Sequence, residues 1–295
     1  MMSFIERDCP ICEKPIESKK GIIPDINPDN ILNNIDYYWR GFHKEKVFFN
    51  YSRCCCGILY CKKYFSNEQL SKLYSNMSDN VHSGDIETDL YTKDSYIKSI
   101  LNNLKKEKPI SVLELGSDNG SLLKKLQTKI PIKKIVAVEP NVKMHAKLEK
   151  IADNVYSDLS DVPELDKFDL IICIHVLDHI PDINKLINSL YLKLNNSGYL
   201  FGVVHDESSL LAKILGNRWP AYCLQHPQLF NERTIKKMFE KHNLTEIKTY
   251  KTINVFKFGY LLEQLLLAFF KIKINLPNLF NVHLKLGNIG FFFRK

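Results

Sequence analysis

The chain has 295 residues, 45% apolar and 25% charged, the balance of an ordinary globular protein long enough for one large domain beside a small one. No apolar run reaches the about 18 residues that a membrane-spanning helix needs, and MMSFIERDCP is not a basic-then-apolar leader, so neither a span nor secretion is expected and the cytoplasm is the expected compartment. The net charge of +8 comes from lysines scattered over the whole chain, which fits compositional bias better than a nucleic-acid stripe, and nucleic acid is not an expected partner.

Residues 1–65 read as a module of their own. Cys9-Pro10-Ile11-Cys12 is a C-x-x-C knuckle, and Arg53-Cys54-Cys55-Cys56-Gly57 is a second turn ending in Cys-Gly. Four thiolates from two such turns make a closed tetrahedral zinc site, structural because no coordination position stays open. Such a site supports a segment whose own core is small. Cys9, Cys12, Cys54 and Cys56 are the expected ligands; Arg53 stands where a regular knuckle has cysteine, so Cys55 or Cys61 could take the fourth place. Between the knuckles, the segments 35–40 and 46–51 are aromatic enough to be strands of a small sheet.

Residues 66–108 read as a helical linker or lid: Ser66 or Asn67 caps a first helix, a polar loop covers 75–89, and a second helix carries Tyr91 and Tyr96 toward the first strand of the next domain. From 109 onward strands and helices alternate, which implies a parallel sheet with ligands at the carboxyl ends of its strands.

The key stretch is Val112 to Gly120, a strand running through Gly116 and Gly120 into a helix near Ser121. Glycine alone reaches positive φ without steric cost, and the helix start favours an anionic group. The G-x-x-x-G spacing is not the G-x-G-x-x-G of dinucleotide sites, which disfavours NAD. Glu114 at the strand end suits an ammonium group. The next strand ends in Glu139 and Pro140, where an acid can accept both ribose hydroxyls. A third ends near Asp158, and strand 170–174 delivers His175, Asp178 and His179 to the pocket mouth, as GYLFGVVHD delivers His205 and Asp206.

This order of acids and glycines resembles class I S-adenosylmethionine-dependent methyltransferases, from about Tyr91 to the C-terminus. The resemblance implies an α/β fold with a Rossmann-like sheet of seven strands, parallel except for one, preceded here by the zinc ribbon; GNIGFFFRK would be its last, antiparallel strand, with no larger C-terminal domain after it. It implies that Glu114, Gly116, Ser117, Asp118 and Gly120 hold the methionine part, Glu139 and Pro140 the ribose, and Asp158 with Leu159 the adenine, against which His175 packs. Asp118 departs from the family's G-x-G-x-G. ELGSDNGSLL also resembles the E-x-x-S-N-D-G-x-L-L stretch of zinc-containing sugar C-methyltransferases, with Asn and Asp exchanged.

Two inserts, 206–232 and 257–284, are expected to shape the acceptor side. Where those sugar enzymes have Tyr-His-Glu-His, this chain has Cys223-Leu224-Gln225-His226, which leaves His226 as the expected base, with His179 and His175 as further catalytic candidates. Without the tyrosine and glutamate, O-methylation is expected at least as readily as C-methylation. Trp219 and Tyr222 are placed to form a stacking wall for a sugar. The apolar stretch within 257–284 either lies on a membrane surface, with Lys271 and Lys273 at the headgroups, or caps the pocket. The expected activity is methylation of a sugar or glycan precursor, nucleotide- or lipid-linked; methylation of RNA, or a binding protein without catalysis, are the competing readings.

Overall fold

A computed structural model describes residues 4–15, 21–39, 43, 45–75, 86–104 and 109–295. Most of the expected loop at 75–89, and Arg40, lie outside them. Seven strands form the central sheet: β1 (Ile110–Leu115), β2 (Ile132–Val138), β3 (Asn154–Tyr156), β4 (Phe168–Ile174), β5 (Leu194–His205), β6 (Thr245–Lys251) and β7 (Asn288–Arg294), in the order β6-β7-β5-β4-β1-β2-β3. Neighbours pair in parallel from β5 to β3, and β7 is antiparallel to both β5 and β6. This is the expected α/β sheet with one reversed strand.

The strands β1 and β4 are near-continuous apolar runs because the sheet is covered on both faces. Alternate residues supply the two cores: Leu113, Ile171, Phe291 and Phe293 pack on one side with Ile187 and Leu190 of helix Ile183–Lys193 and Phe239 of helix Glu232–Lys241, while Val112, Ile172 and Phe292 face Ile97 and Ile100 of helix Ile86–Asn103. The helix starts follow side-chain capping: Asp182 Oδ1 accepts from the Lys185 amide, Asn231 and Thr234 cap each other's backbone, and Ser66 rather than Asn67 caps the helix Asn67–Ser75 with Gln69 as reciprocal partner. Asp178 and His179 do not cap the helix that follows them.

The N-terminal module is less separate than the sequence suggests. Its small antiparallel sheet runs Gly21–Ile22, Tyr51–Arg53, Leu59–Cys61, and its fourth strand is Gln228–Leu229, contributed by the insert after β5. Two of its expected strands differ. Residues 35–38 form a helical turn after the 3-10 turn Pro28–Asn34, because Asn27 caps that turn and Pro28 pre-sets its first φ. Residues 46–50 make a single bridge, Val47 with Ile26, and the ladder begins only at Tyr51.

The second insert is a hairpin, Asn254–Lys257 with Asn281–Leu284, carrying the helix Phe258–Phe270. This helix is not buried as a cap: Phe258, Leu262, Phe269, Phe270, Leu279 and Phe280 on the insert are all exposed. Among the described residues no helix is long and apolar enough to cross a membrane.

Candidate active site

The cofactor side lies at the carboxyl ends of β1, β2 and β3. Gly116 (φ +75°) and Gly120 (φ +73°) turn the chain, and added Cβ atoms there would meet Val176 at 2.7 Å and Leu148 at 2.9 Å. Asp118 stands where the family commonly has glycine and holds φ +47°, a left-handed conformation that Asp tolerates better than most side chains. Ser117 Oγ donates to the Glu114 carbonyl at 2.8 Å and is buried, so it braces the turn.

Glu114 is buried, and its Oε2 has no hydrogen-bond partner. Burial pushes its pKa up to about 8, against the pull of Lys93. A buried carboxylate oxygen without a partner is costly unless a ligand supplies a donor, and the ammonium of S-adenosylmethionine is such a donor. Glu139 accepts from the backbone amides of Asp118 (2.8 Å) and Asn141 (2.9 Å), which aim its carboxylate across the turn. Burial raises its pKa, and those two amides oppose the rise. Pro140 is exposed beside it, and the His145 ring donates to the Glu139 carbonyl at 2.7 Å. Asp158 is exposed, and its Oδ1 is committed to Ser160 as a helix cap over the turn Leu159–Asp161, with Leu159 buried beneath.

The acceptor side is a cluster of four histidines drawn from three segments. His175 follows β4 with φ +52°, a strained conformation for a non-glycine residue. Its ring lies 4.5 Å from that of His205 at the end of β5; the His205 ring lies 4.7 Å from that of His226, and the His226 ring 4.6 Å from that of His179. Asp178, fully buried, sits beneath them: its Oδ2 accepts from His205 Nδ1 at 2.8 Å and from the His205 amide at 3.1 Å, and lies 3.6 Å from His175 Nδ1. Burial would push the Asp178 carboxyl up, but the surrounding imidazoles, His205 first, hold it well below the usual carboxylate range. Burial lowers His205 to about 4 and keeps His179 well below an ordinary histidine.

His226 differs from its neighbours. Burial alone would lower its pKa, but the Cys223 thiol 3.4 Å from its Nδ1 outweighs that and raises it to about 9, with the Cys223 pKa lowered in turn. The Ala221 carbonyl accepts from the same Nδ1 at 2.7 Å, so Nδ1 keeps its proton and Nε2 is the atom that titrates, open to accept a proton only in the neutral fraction that grows toward pH 9. Cys223 as this partner was legible only as a residue three positions earlier in the same turn. Tyr74, whose hydroxyl meets His179 Nδ1 at 2.9 Å, gave no sequence signal at all. Trp219 and Tyr222 do not form an open stacking wall: they are buried and pack edge-on to each other, Trp219 against His205 and Tyr222 against Phe48 and Tyr51.

The N-terminal module holds this cluster from behind. Tyr51 and Tyr64 donate to the carbonyls of His226 and Leu224, Arg7 donates to the Pro181 carbonyl and to Gln228 Oε1, and Gln228 Nε2 donates to the carbonyls of Leu177 and Ile180. Arg53 makes a two-pronged pair with Glu207 at 2.8 and 2.7 Å. In the module itself Cys9, Cys12, Cys54 and Cys56 come together, with Sγ separations of 3.5 Å (Cys9 to Cys56) and 3.4 Å (Cys12 to Cys54). A metal–sulfur distance of about 2.3 Å implies Sγ separations of about 3.8 Å in a tetrahedron, so the four thiols fit a zinc ion after moving slightly apart. Cys55 is exposed, and Cys61 is buried with its Sγ on the Phe49 carbonyl, so neither joins the set.

A Rossmann-like sheet in this strand order, with an acid near the end of β1 whose Oε2 has no partner and a second acid directly after β2, defines a class I S-adenosylmethionine-dependent methyltransferase. The methyltransferase-domain family matches residues 90–249, more than half of the chain, and the chain belongs to that family. No curated protein matches it in sequence. Among solved structures, the complex of the Haloferax volcanii Trm112 methyltransferase activator with a proposed methyltransferase aligns at 12% identity over 70% of this chain and 95% of the other, with a TM-score of 0.50. Magnesium protoporphyrin IX methyltransferase from Synechocystis PCC 6803 with bound SAH aligns at 15% identity over 77% and 93%, TM-score 0.48. An S-adenosylmethionine-dependent methyltransferase from Clostridium acetobutylicum ATCC 824 aligns at 14% identity over 77% and 98%, TM-score 0.48. At such identities the likeness is one of fold.

Proposed function

We propose that this methyltransferase acts on a hydroxyl of a sugar or glycan precursor, nucleotide- or lipid-linked, with His226 as the base. The observation that carries the proposal is the His226 ring itself: Nδ1 is held by the Ala221 carbonyl and Cys223, and the ring stands beside His205 and His179 at the strand ends that also carry the cofactor acids. The sugar class is supported by the resemblance of ELGSDNGSLL and of the insert to sugar C-methyltransferases, and by a four-cysteine module joined through strand Gln228–Leu229 to the acceptor segment. Exposed Phe269, Phe270, Leu279 and Phe280 support a lipid-linked acceptor presented at a membrane surface.

S-adenosylmethionine supplies a methyl group activated on a sulfonium. Glu114 would pair with its ammonium and Glu139 with its ribose hydroxyls, and the glycine turn would let it approach the backbone. Holding methyl and acceptor in line can be worth about 7–11 kcal/mol. In its deprotonated form, the minority at neutral pH for a pKa of about 9, His226 Nε2 would take the acceptor hydroxyl's proton while S-adenosylmethionine would supply the methyl group; such a base adds typically about 10²–10⁴-fold, and the transfer rate should rise toward pH 9. With leucine and glutamine at 224 and 225, no carboxylate stands beside His226 in that tetrapeptide to help form a carbanion.

The test is incubation with methyl-labelled S-adenosylmethionine and, separately, nucleotide sugars, polyprenyl-linked sugars and structured RNA, with products read by mass. Labelled sugar that is lost in His226→Ala is the expected result. Label in RNA and not in either sugar pool would overturn the acceptor class.

A further inference from the structure

We infer that His175, Asp178 and His205 form a binding site for a divalent transition-metal ion at the acceptor pocket, distinct from the four-cysteine site. One ligand atom from each lies within 4.8 Å of the other two. Two histidines and one carboxylate are the donor set that holds zinc, iron or cobalt on one face while leaving coordination positions open.

Three independent features point at a ligand there. Asp178 is completely buried and its Oδ1 has no partner; His175 Nδ1 is likewise buried without one. Asp178 Oδ2 already serves His205 twice, through ring and amide, and lies too far from His175 for a hydrogen bond at 3.6 Å. Third, His175 holds φ +52°, a backbone cost that brings its ring over that of His205. A bound cation would engage the two orphaned atoms together and replace the proton shared by His205 and Asp178, which is released on binding. The His205 amide fixes the carboxylate, and Asn288 Nδ2 approaches His175 Nε2 at 3.5 Å, so both outer contacts of the site come from the ends of β5 and β7.

The role of the ion rests on the acceptor reading given above: beside His226 it would polarise the acceptor hydroxyl and ease transfer of the proton to that histidine, which favours oxygen over carbon as the methylated atom. Binding itself does not rest on that reading and is measured without an acceptor.

The experiment is equilibrium dialysis of the full chain, its cysteine site loaded with zinc, against Co²⁺, with metal analysis and the visible spectrum as readouts. Wild type is expected to take up one cobalt per chain, showing weak d–d bands of nitrogen and oxygen ligands without thiolate charge-transfer absorption. Asp178→Asn and His205→Gln should bind it at least tenfold more weakly while binding S-adenosylmethionine as wild type does; if the first variant does not fold, His205→Gln carries the test together with His205→Ala. No cobalt in wild type, cobalt showing only thiolate bands, or unchanged affinity in the variants would overturn the site. Cobalt binding without any sugar product overturns the acceptor class and leaves the site standing; sugar methylation without cobalt binding does the converse.

Discussion

The cofactor side and the acceptor side of the pocket are built by opposite strategies. Glu114, Gly116, Asp118 and Glu139 come from two successive strand–helix turns, and their contacts are local: the Asp118 amide meets the Glu139 carboxylate across 21 positions of sequence. The histidine cluster instead depends on partners far away. Tyr51 is 175 positions from the His226 carbonyl it holds, and Arg7 is 174 from that of Pro181. A cradle made of local turns forms wherever the central sheet forms, whereas the acceptor wall needs the N-terminal module folded and docked.

Breaking the module should therefore separate the two sides most sharply. Removing one thiolate with Cys12→Ser removes a site whose metal can contribute about 10–16 kcal/mol of folding free energy. The expected outcome is loss of methyl transfer below detection with S-adenosylmethionine affinity within about fivefold of wild type, read by calorimetry; equal loss of both would show that the halves fold as one. Next, His226→Ala should lower kcat by about 10²–10⁴-fold and leave the cofactor dissociation constant unchanged. Glu139→Gln should do the reverse, weakening cofactor binding by about 10–150-fold, the range for losing about 1.5–3 kcal/mol of charged hydrogen bonding.

The smallest effect is one of pH. Glu114 carries a pKa raised to about 8 by burial, so at neutral pH the free protein holds it protonated and an incoming ammonium must displace that proton. Cofactor affinity should rise with pH, by up to about tenfold per unit below pH 8, and level off above it. Binding at pH 7 should release a proton, visible as a calorimetric heat that scales with buffer ionisation enthalpy. Glu114→Gln should flatten the profile; an unchanged slope in that variant would move the titrating group elsewhere.

Particular residues show where the sequence was readable. The strand ends carrying Glu114, Glu139 and His175 could be placed because apolar runs bounded by glycine and acids mark β-strands of a covered sheet, and the knuckle Cys9–Cys12 because metal spacing is local. Residues 35–38 were misread as a strand, since aromatic content outvoted the cap Asn27–Pro28 eight positions upstream. Trp219 and Tyr222 were misread as an exposed wall, because nothing in their neighbourhood announces that Phe48 and Tyr51 cover Tyr222.

By itself the sequence determined the sheet, the class of protein and the Cys9–Cys12 knuckle of a cysteine module, all of which follow from periodicity and short-range spacing. Tertiary structure alone decided that Gln228–Leu229 completes the module's sheet, that Cys223 charges His226, and that His175 and His205 meet over a buried Asp178. The physical reason is that a strand pair, a shifted pKa and a ligand set are properties of distances between side chains, and chain order constrains those distances only where the contacts are local.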